Sequence, residues 1–194
     1  MQTVRAAPKP AGAPYRFTAD EYFTMAAAGA IDPNVRTELV DGQVLLMAIP
    51  DWPHIQTKNL VHDELASGLA GARRGRWLVI DQDPLRLGRH DVRFPDIAVV
   101  PFGLGRVPEP GDVLLAIEIS VTTLTADTQT KRRQYAGAGI PHYWVVDVRA
   151  RQVRVYGQPR DGDYRTATTL GVGDQLALTV EQARPVAVAA LFPA

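Results

Sequence analysis

Residues 113–148 constrain this chain more than any other stretch. An apolar run at 113–120 and a second at 142–148 flank a helical segment over about 127–138, which Gly139 and Pro141 stop. Two buried strands joined through a helix lie parallel in one sheet, with a right-handed crossover. Further strands precede this unit at 77–81, at 85–87 and at 92–94, the last running on into 96–100. A Pro/Gly loop fills 101–111. This order predicts an α/β (α+β) fold: a mixed sheet flanked by helices.

The N-terminal part is readable from its punctuation. Thr18-Ala19-Asp20-Glu21 has the form of a capping box, so a short helix runs from there to about Gly29. Asp41-Gly42 between two strand-like segments, 37–40 and 43–47, is a hairpin signal, because that pair suits the two-residue turn that strand twist favours. Pro50-Asp51-Trp52-Pro53 ends the hairpin and opens a second helix. Val61, Leu65 and Leu69 give it a buried face, and it ends around Gly71. Residues 153–156 and 164–170 form a C-terminal hairpin or meander around Gly162. The tail beyond, with Leu176, Leu178 and Leu191, shows no clear pattern.

The length of 194 residues suits one domain, expected over 16–194, after an Ala- and Pro-rich leader over 1–15 expected to be disordered. No apolar run approaches the roughly 18 residues that span a bilayer, so no membrane association is expected. Residues 1–14 lack the continuous apolar stretch of a secretory signal. Cysteine is absent, which removes disulfides, thiolate catalysis and Cys-ligated zinc. A cytoplasmic location is the default expectation. Lys plus Arg and Asp plus Glu are both 21, for a net charge of zero. A protein that grips many phosphates carries surplus positive charge. Neutrality therefore counts against tight nonspecific DNA binding by a monomer, though a local basic face is compatible with it.

Two carboxylates stand inside apolar strand runs: Asp96, after Pro95, and Glu118. A buried ionised carboxylate is costly unless a metal, a cation or donors compensate it. By strand alternation Phe94, Asp96, Ala98 and Val100 share one face, as do Leu114, Ala116, Glu118 and Ser120. In neighbouring strands, about 4.8 Å apart, the two carboxylates converge on one hard cation, Mg²⁺ or Mn²⁺. Taken singly, each has a plainer reading, Asp96 as a turn cap and Glu118 as the partner of an Arg in the sheet. The helix that follows brings Lys131, Gln134 and Tyr135 to one side. A Lys beside a metal and a scissile phosphate orients water and offsets charge; the alternative is a solvated basic stripe, Lys131-Arg132-Arg133. His54, at a helix start, reads equally as a proton-transfer group and as a capping or surface residue. His62, His90 and His142 have no metal-cluster spacing. Asp147 reads as a strand-end turn residue, and Tyr143 and Trp144 as core or dimer-contact aromatics. No P-loop, dinucleotide fingerprint or nucleophile elbow is present, so no organic cofactor is expected.

Taken in order, Glu38-Leu39 and Asp41-Gly42, His54, Pro95-Asp96, Glu118-Ile119-Ser120, Asp127, Lys131, Tyr135, Gly139 and residues 142–147 resemble one family. It is the small prokaryotic "putative restriction endonuclease" family, a domain of unknown function in the PD-(D/E)XK nuclease superfamily. The resemblance covers roughly residues 17–157. It implies a restriction-endonuclease-like core and a divalent metal held by Asp96 and Glu118. It also implies DNA as substrate and a homodimer, which a neutral chain independently favours. The superfamily places a Lys two residues after the Glu; this chain has Ser120 there, and the family's Lys matches Lys131 on the helix. Glu38 matches an upstream acidic residue that supplies another metal contact, directly or through water. The competing expectation is a non-catalytic nucleic-acid-binding or regulatory module on the same fold. A third, an enzyme acting on another phosphate ester, has no recognition element in its favour.

Overall fold

The computed structural model describes residues 12–72, 76–180 and 182–193. Of the expected leader, residues 1–11 lie outside the described residues. Helix α1 (Ala19–Ala27) begins with the expected capping box: Thr18 Oγ1 accepts from the Glu21 amide, and Glu21 Oε2 accepts from the Thr18 amide at 2.7 Å. Strands β1 (Thr37–Val40) and β2 (Gln43–Leu46) form the hairpin. Asp41 and Gly42 both adopt positive φ, 49° and 77°, as its turn demands. Gly42 is needed there twice over, because a Cβ would stand 2.6 Å from the Cβ of Arg16.

Helix α2 (Trp52–Leu69) is capped by Asp51, whose side chain accepts from the His54 amide. Strands β3 (Trp77–Asp81), β4 (Leu85–Gly88), β5 (Asp91–Arg93), β6 (Ile97–Pro101), β7 (Leu115–Ser120), β8 (His142–Asp147), β9 (Gln152–Arg160) and β10 (Asp163–Gly171) divide between two sheets. One has the order β2-β1-β5-β4; the other runs β10-β9-β8-β7-β6-β3. In the larger sheet β7 and β8 are parallel, as the crossover requires, and the remaining neighbours are antiparallel.

One sequence expectation is corrected. Residues 92–100 are not a single strand: β5 belongs to the small sheet and β6 to the large one. Pro95 has no N–H to give to a ladder, and the Phe94 amide turns instead to Glu38 Oε1 at 3.3 Å. Phe94 accordingly packs with the small sheet's cluster of Ala19, Tyr22, Leu39 and Val92 rather than sharing a face with Ala98.

Alternation in the large sheet sorts its two faces. Ile97, Val99, Leu115, Ile117 and Ile119 pack under Val61 and Leu65 of α2. The tail, unpatterned in sequence, closes this layer with Val186, Val188, Leu191 and Phe192. The opposite face, Ala98, Ala116, Tyr143 and Val145, is covered by Tyr135 and Ala136 of α3 (Arg132–Ala138). Ahead of α3 the helix is wider than expected, a π-helical segment over Ala126–Lys131 in which the Arg132 amide reaches back five residues to the Asp127 carbonyl. Tyr143 and Trp144 are core residues, and Asp147 takes the expected turn role by accepting from the Ala150 amide. Among the described residues no helix is long and apolar enough to cross a membrane.

Candidate active site

Glu118 lies on β7, and Asp96 directly precedes the neighbouring strand β6. The β6–β7 register pairs Ile97 with Ile117, and one step beyond that pair sets Asp96 opposite Glu118. Both line one cleft of about 180 Å³, whose wall also includes Arg36, His54, Thr123 and Lys131. The cleft lies at the end of the large sheet, where α2 delivers His54 from one face and the π-segment delivers Lys131 from the other.

Asp96 is tied by its Oδ2, which accepts from the Ile119 amide at 2.8 Å and lies 3.0 Å from His54 Nε2. Among the described residues its Oδ1 accepts no hydrogen bond. Burial pushes the Asp96 carboxyl up, but His54, the Ile119 amide and Lys131 outweigh it and hold it below its ordinary value. Asp96 is thus an ionised group with one oxygen uncommitted.

Glu118 has the opposite character. It is 3% exposed, and both its oxygens are taken: Tyr135 Oη donates to Oε1 at 2.8 Å, and Lys131 Nζ donates to Oε2 at 2.8 Å. Burial pushes it up to about 8 despite the pull of Lys131, with Asp96 and Asp127 adding to the rise. For Lys131, burial acts downward, yet Glu118, Asp127 and Asp96 together hold the ammonium above its ordinary value. Three carboxylates around one ammonium leave this pocket short of positive charge.

The structure therefore brings Asp96, Glu118, Lys131 and His54 together at one cleft. Glu38 is not part of its wall: its Oε2 accepts from Arg93 Nη1 at 2.7 Å, and its Oε1 takes the Phe94 amide. It braces the segment leading to Pro95. Asp127, which the sequence offered only as one member of the ordered set, is buried at 1% exposure and pairs with Lys131. Tyr135, placed on the Lys131 face by helical spacing, is the residue that fixes Glu118.

Among the described residues no group of three His, Asp or Glu side chains converges as a ready metal cage. The donors present nevertheless fit a small hard cation. Mg²⁺ is typically held by one or two carboxylates, keeping several waters and binding substrate phosphate. Asp96 offers a free oxygen, Glu118 faces the same cleft, and the surplus of carboxylate over ammonium supplies the negative field.

A family model described as "Uma2: Putative restriction endonuclease" matches residues 19–188. Among solved structures the chain is similar to one described as a putative nuclease belonging to DUF820 from Anabaena variabilis ATCC 29413. The TM-score is 0.66 at 17% identity, covering 91% of this chain and 97% of that one, a likeness of fold. No curated protein matches the chain.

Proposed function

The chain belongs to the Uma2 family of putative restriction endonucleases, and from that premise we propose a metal-dependent DNA endonuclease that hydrolyses phosphodiester bonds with water. One observation carries the reading: Asp96, at the start of β6, and Glu118, on the adjacent β7, share a cleft with Lys131. Asp96 and Glu118 are the residues that would hold Mg²⁺ or Mn²⁺. Such an ion, when bound, polarises a phosphate and makes water a competent nucleophile near neutral pH. His54 and the Ile119 amide keep Asp96 ionised and fix its orientation. Tyr135 fixes Glu118. Lys131 presents an ammonium to the scissile phosphate and offsets the charge that builds on it. Arg36, on the cleft wall, adds positive charge there for a phosphate backbone. Glu38 acts through Arg93 and Phe94, steadying the approach to Pro95. The reaction takes place in the cytoplasm, where the substrate lies.

The assembly proposed is a homodimer. The neutral chain supports it, as do Leu46, Ile49 and Trp52, large apolar side chains that are 77%, 94% and 66% exposed near the cleft. Light scattering of the purified protein should read twice the 21.2 kDa chain mass; a monomer at every concentration tested would remove this part of the proposal.

One observation favours the second reading, a non-catalytic binding or regulatory module. Both Glu118 oxygens are already satisfied by Tyr135 and Lys131, a closed arrangement that needs no metal. Calorimetry with Mg²⁺ and with Mn²⁺ separates the two. The nuclease reading expects saturable binding in the millimolar range or tighter that Asp96→Asn abolishes. No binding heat with either ion would leave the module.

A further inference from the structure

Lys131 reaches Glu118 from a helix, not from the strand position that Ser120 holds. A helix-borne lysine has a long, flexible stem, and its grip on Glu118 is the very contact a bound cation competes for. Something else has to hold it.

Asp127 has the required placement. It is 1% exposed and outside the cleft wall, behind Lys131. Its Oδ1 lies 3.1 Å from Lys131 Nζ, an ion pair not aligned as a hydrogen bond, and that oxygen has no other partner among the described residues. Its Oδ2 accepts from Thr123 Oγ1 at 2.5 Å. The backbone is pinned as well: the Asp127 amide donates to the Thr123 carbonyl at 3.0 Å, and the Asp127 carbonyl accepts from Tyr143 Oη at 2.9 Å and from the Arg132 amide. The π-helical segment thus begins with a pinned turn that aims one buried carboxylate at one ammonium. Among the described residues Lys131 is the only cation within ion-pair distance of Asp127. A buried carboxylate with a single cationic neighbour is strongly coupled to it.

We infer that Asp127 is a positioning residue that keeps Lys131 at the cleft wall when Glu118 is engaged by a cation, so that a helical lysine serves where Ser120 is too short. The inference rests on the nuclease reading for its consequence in catalysis, but not for its geometry. With Glu118 engaged, ammonium and cation repel each other, and Asp127 supplies the opposing attraction from the rear.

The test uses the full chain with Asp127→Asn, which preserves shape and removes charge. Cleavage of plasmid DNA should show kcat lower by about 10–100-fold, as expected for a misplaced group. With Mg²⁺ saturating, KM should stay within about twofold, because Asp127 touches no substrate. Mg²⁺ affinity by calorimetry should weaken, since the charge removed belongs to the negative field around the site. The side-chain NMR signals of Lys131 should be rigid in the parent with and without Mg²⁺. In Asp127→Asn they should become mobile when Mg²⁺ is added. Unchanged kcat in an active enzyme, or a Lys131 that stays rigid in the Mg²⁺-loaded variant, would overturn the inference. If Asp127→Asn does not fold, Thr123→Val, which frees the other Asp127 oxygen, should shift both readouts in the same direction by less; no shift overturns it. A parent that binds Mg²⁺ and shows the Lys131 effect but cuts no DNA would sink the nuclease reading and leave the positioning role standing.

Discussion

Replacing Asp96 by Asn or Glu118 by Gln is expected to lower Mg²⁺- or Mn²⁺-dependent cleavage of plasmid DNA by about 10³-fold, with the protein still folded. The magnitude follows from the work assigned to the pair. A divalent ion is worth several kcal/mol of transition-state stabilisation, and each ~1.4 kcal/mol is tenfold in rate. The two variants should differ in how they fail. Asp96 carries the uncommitted oxygen and the lowered pKa, so Asp96→Asn should abolish metal binding at neutral pH. Glu118 is pushed up to about 8 and already shared with Lys131. Glu118→Gln should therefore weaken metal binding less while removing as much activity. Gel-based cleavage and calorimetry on the same preparations check both statements. Parent-like cutting by both variants would mean that the chemistry lies elsewhere.

Lys131→Met should have two effects, one on rate and one on the pH dependence of stability. Cleavage should fall by about 10²–10³-fold, the usual cost of removing one preorganised charge-stabilising group. For stability, Glu118 has a folded-state value of about 8, raised by burial above its ordinary 4.5. A raised value means that its contribution is fully present below about 4.5 and is lost as pH climbs through about 8. Lys131 is the largest influence limiting that rise, so without it the loss extends to higher pH. The melting temperature of Lys131→Met should fall further behind the parent between pH 6 and pH 9. The added gap is on the order of 3–5 °C, what one further pKa unit is worth in a domain of this size. Thermal scans in metal-free buffer measure it. Curves that stay parallel from pH 6 to pH 9 would show that Glu118 and Lys131 are not coupled as the geometry has them.

What the sequence disclosed and what it hid divide along a physical line. The crossover of β7, α3 and β8 was legible because its signals are local: continuous apolar runs, and Gly139 and Pro141 as stops. The Asp41-Gly42 turn was legible for the same reason, since its backbone angles are written in its residue types. The break at Pro95 was not. Residues on either side are extended, and strand periodicity says nothing about which sheet a strand joins. The π-helical segment was equally hidden, because a shift in hydrogen-bond partner by one residue has no compositional mark. The tail was opaque since its two short strands and its 3₁₀ turn are too brief for any period. In the site, Asp96 and Glu118 were found because buried charge stands out against apolar neighbours, and Lys131 because its helix follows Glu118 and it belongs to the ordered set. The partner of Glu38 was not foreseen: Arg93 reads as a strand residue until the small sheet pairs β1 with β5. Asp127 was visible only as one member of an ordered set, and its pairing with Lys131 was not foreseen.

The seam at Phe94-Pro95-Asp96 bears also on how the molecule is made. His54 meets Asp96 across 42 residues of chain, and Arg93 meets Glu38 across 55. Asp96 stands where the chain leaves one sheet for the other, and it faces Glu118 only once β6 is paired with β7. Contacts of such long sequence separation form only after their loop-closure entropy has been met, late in a folding reaction. A collapsed intermediate with its helices and hairpins intact would hold every residue of the cleft and no cleft. The site is thus a property of the assembled tertiary structure, put together from segments that no local element brings into contact.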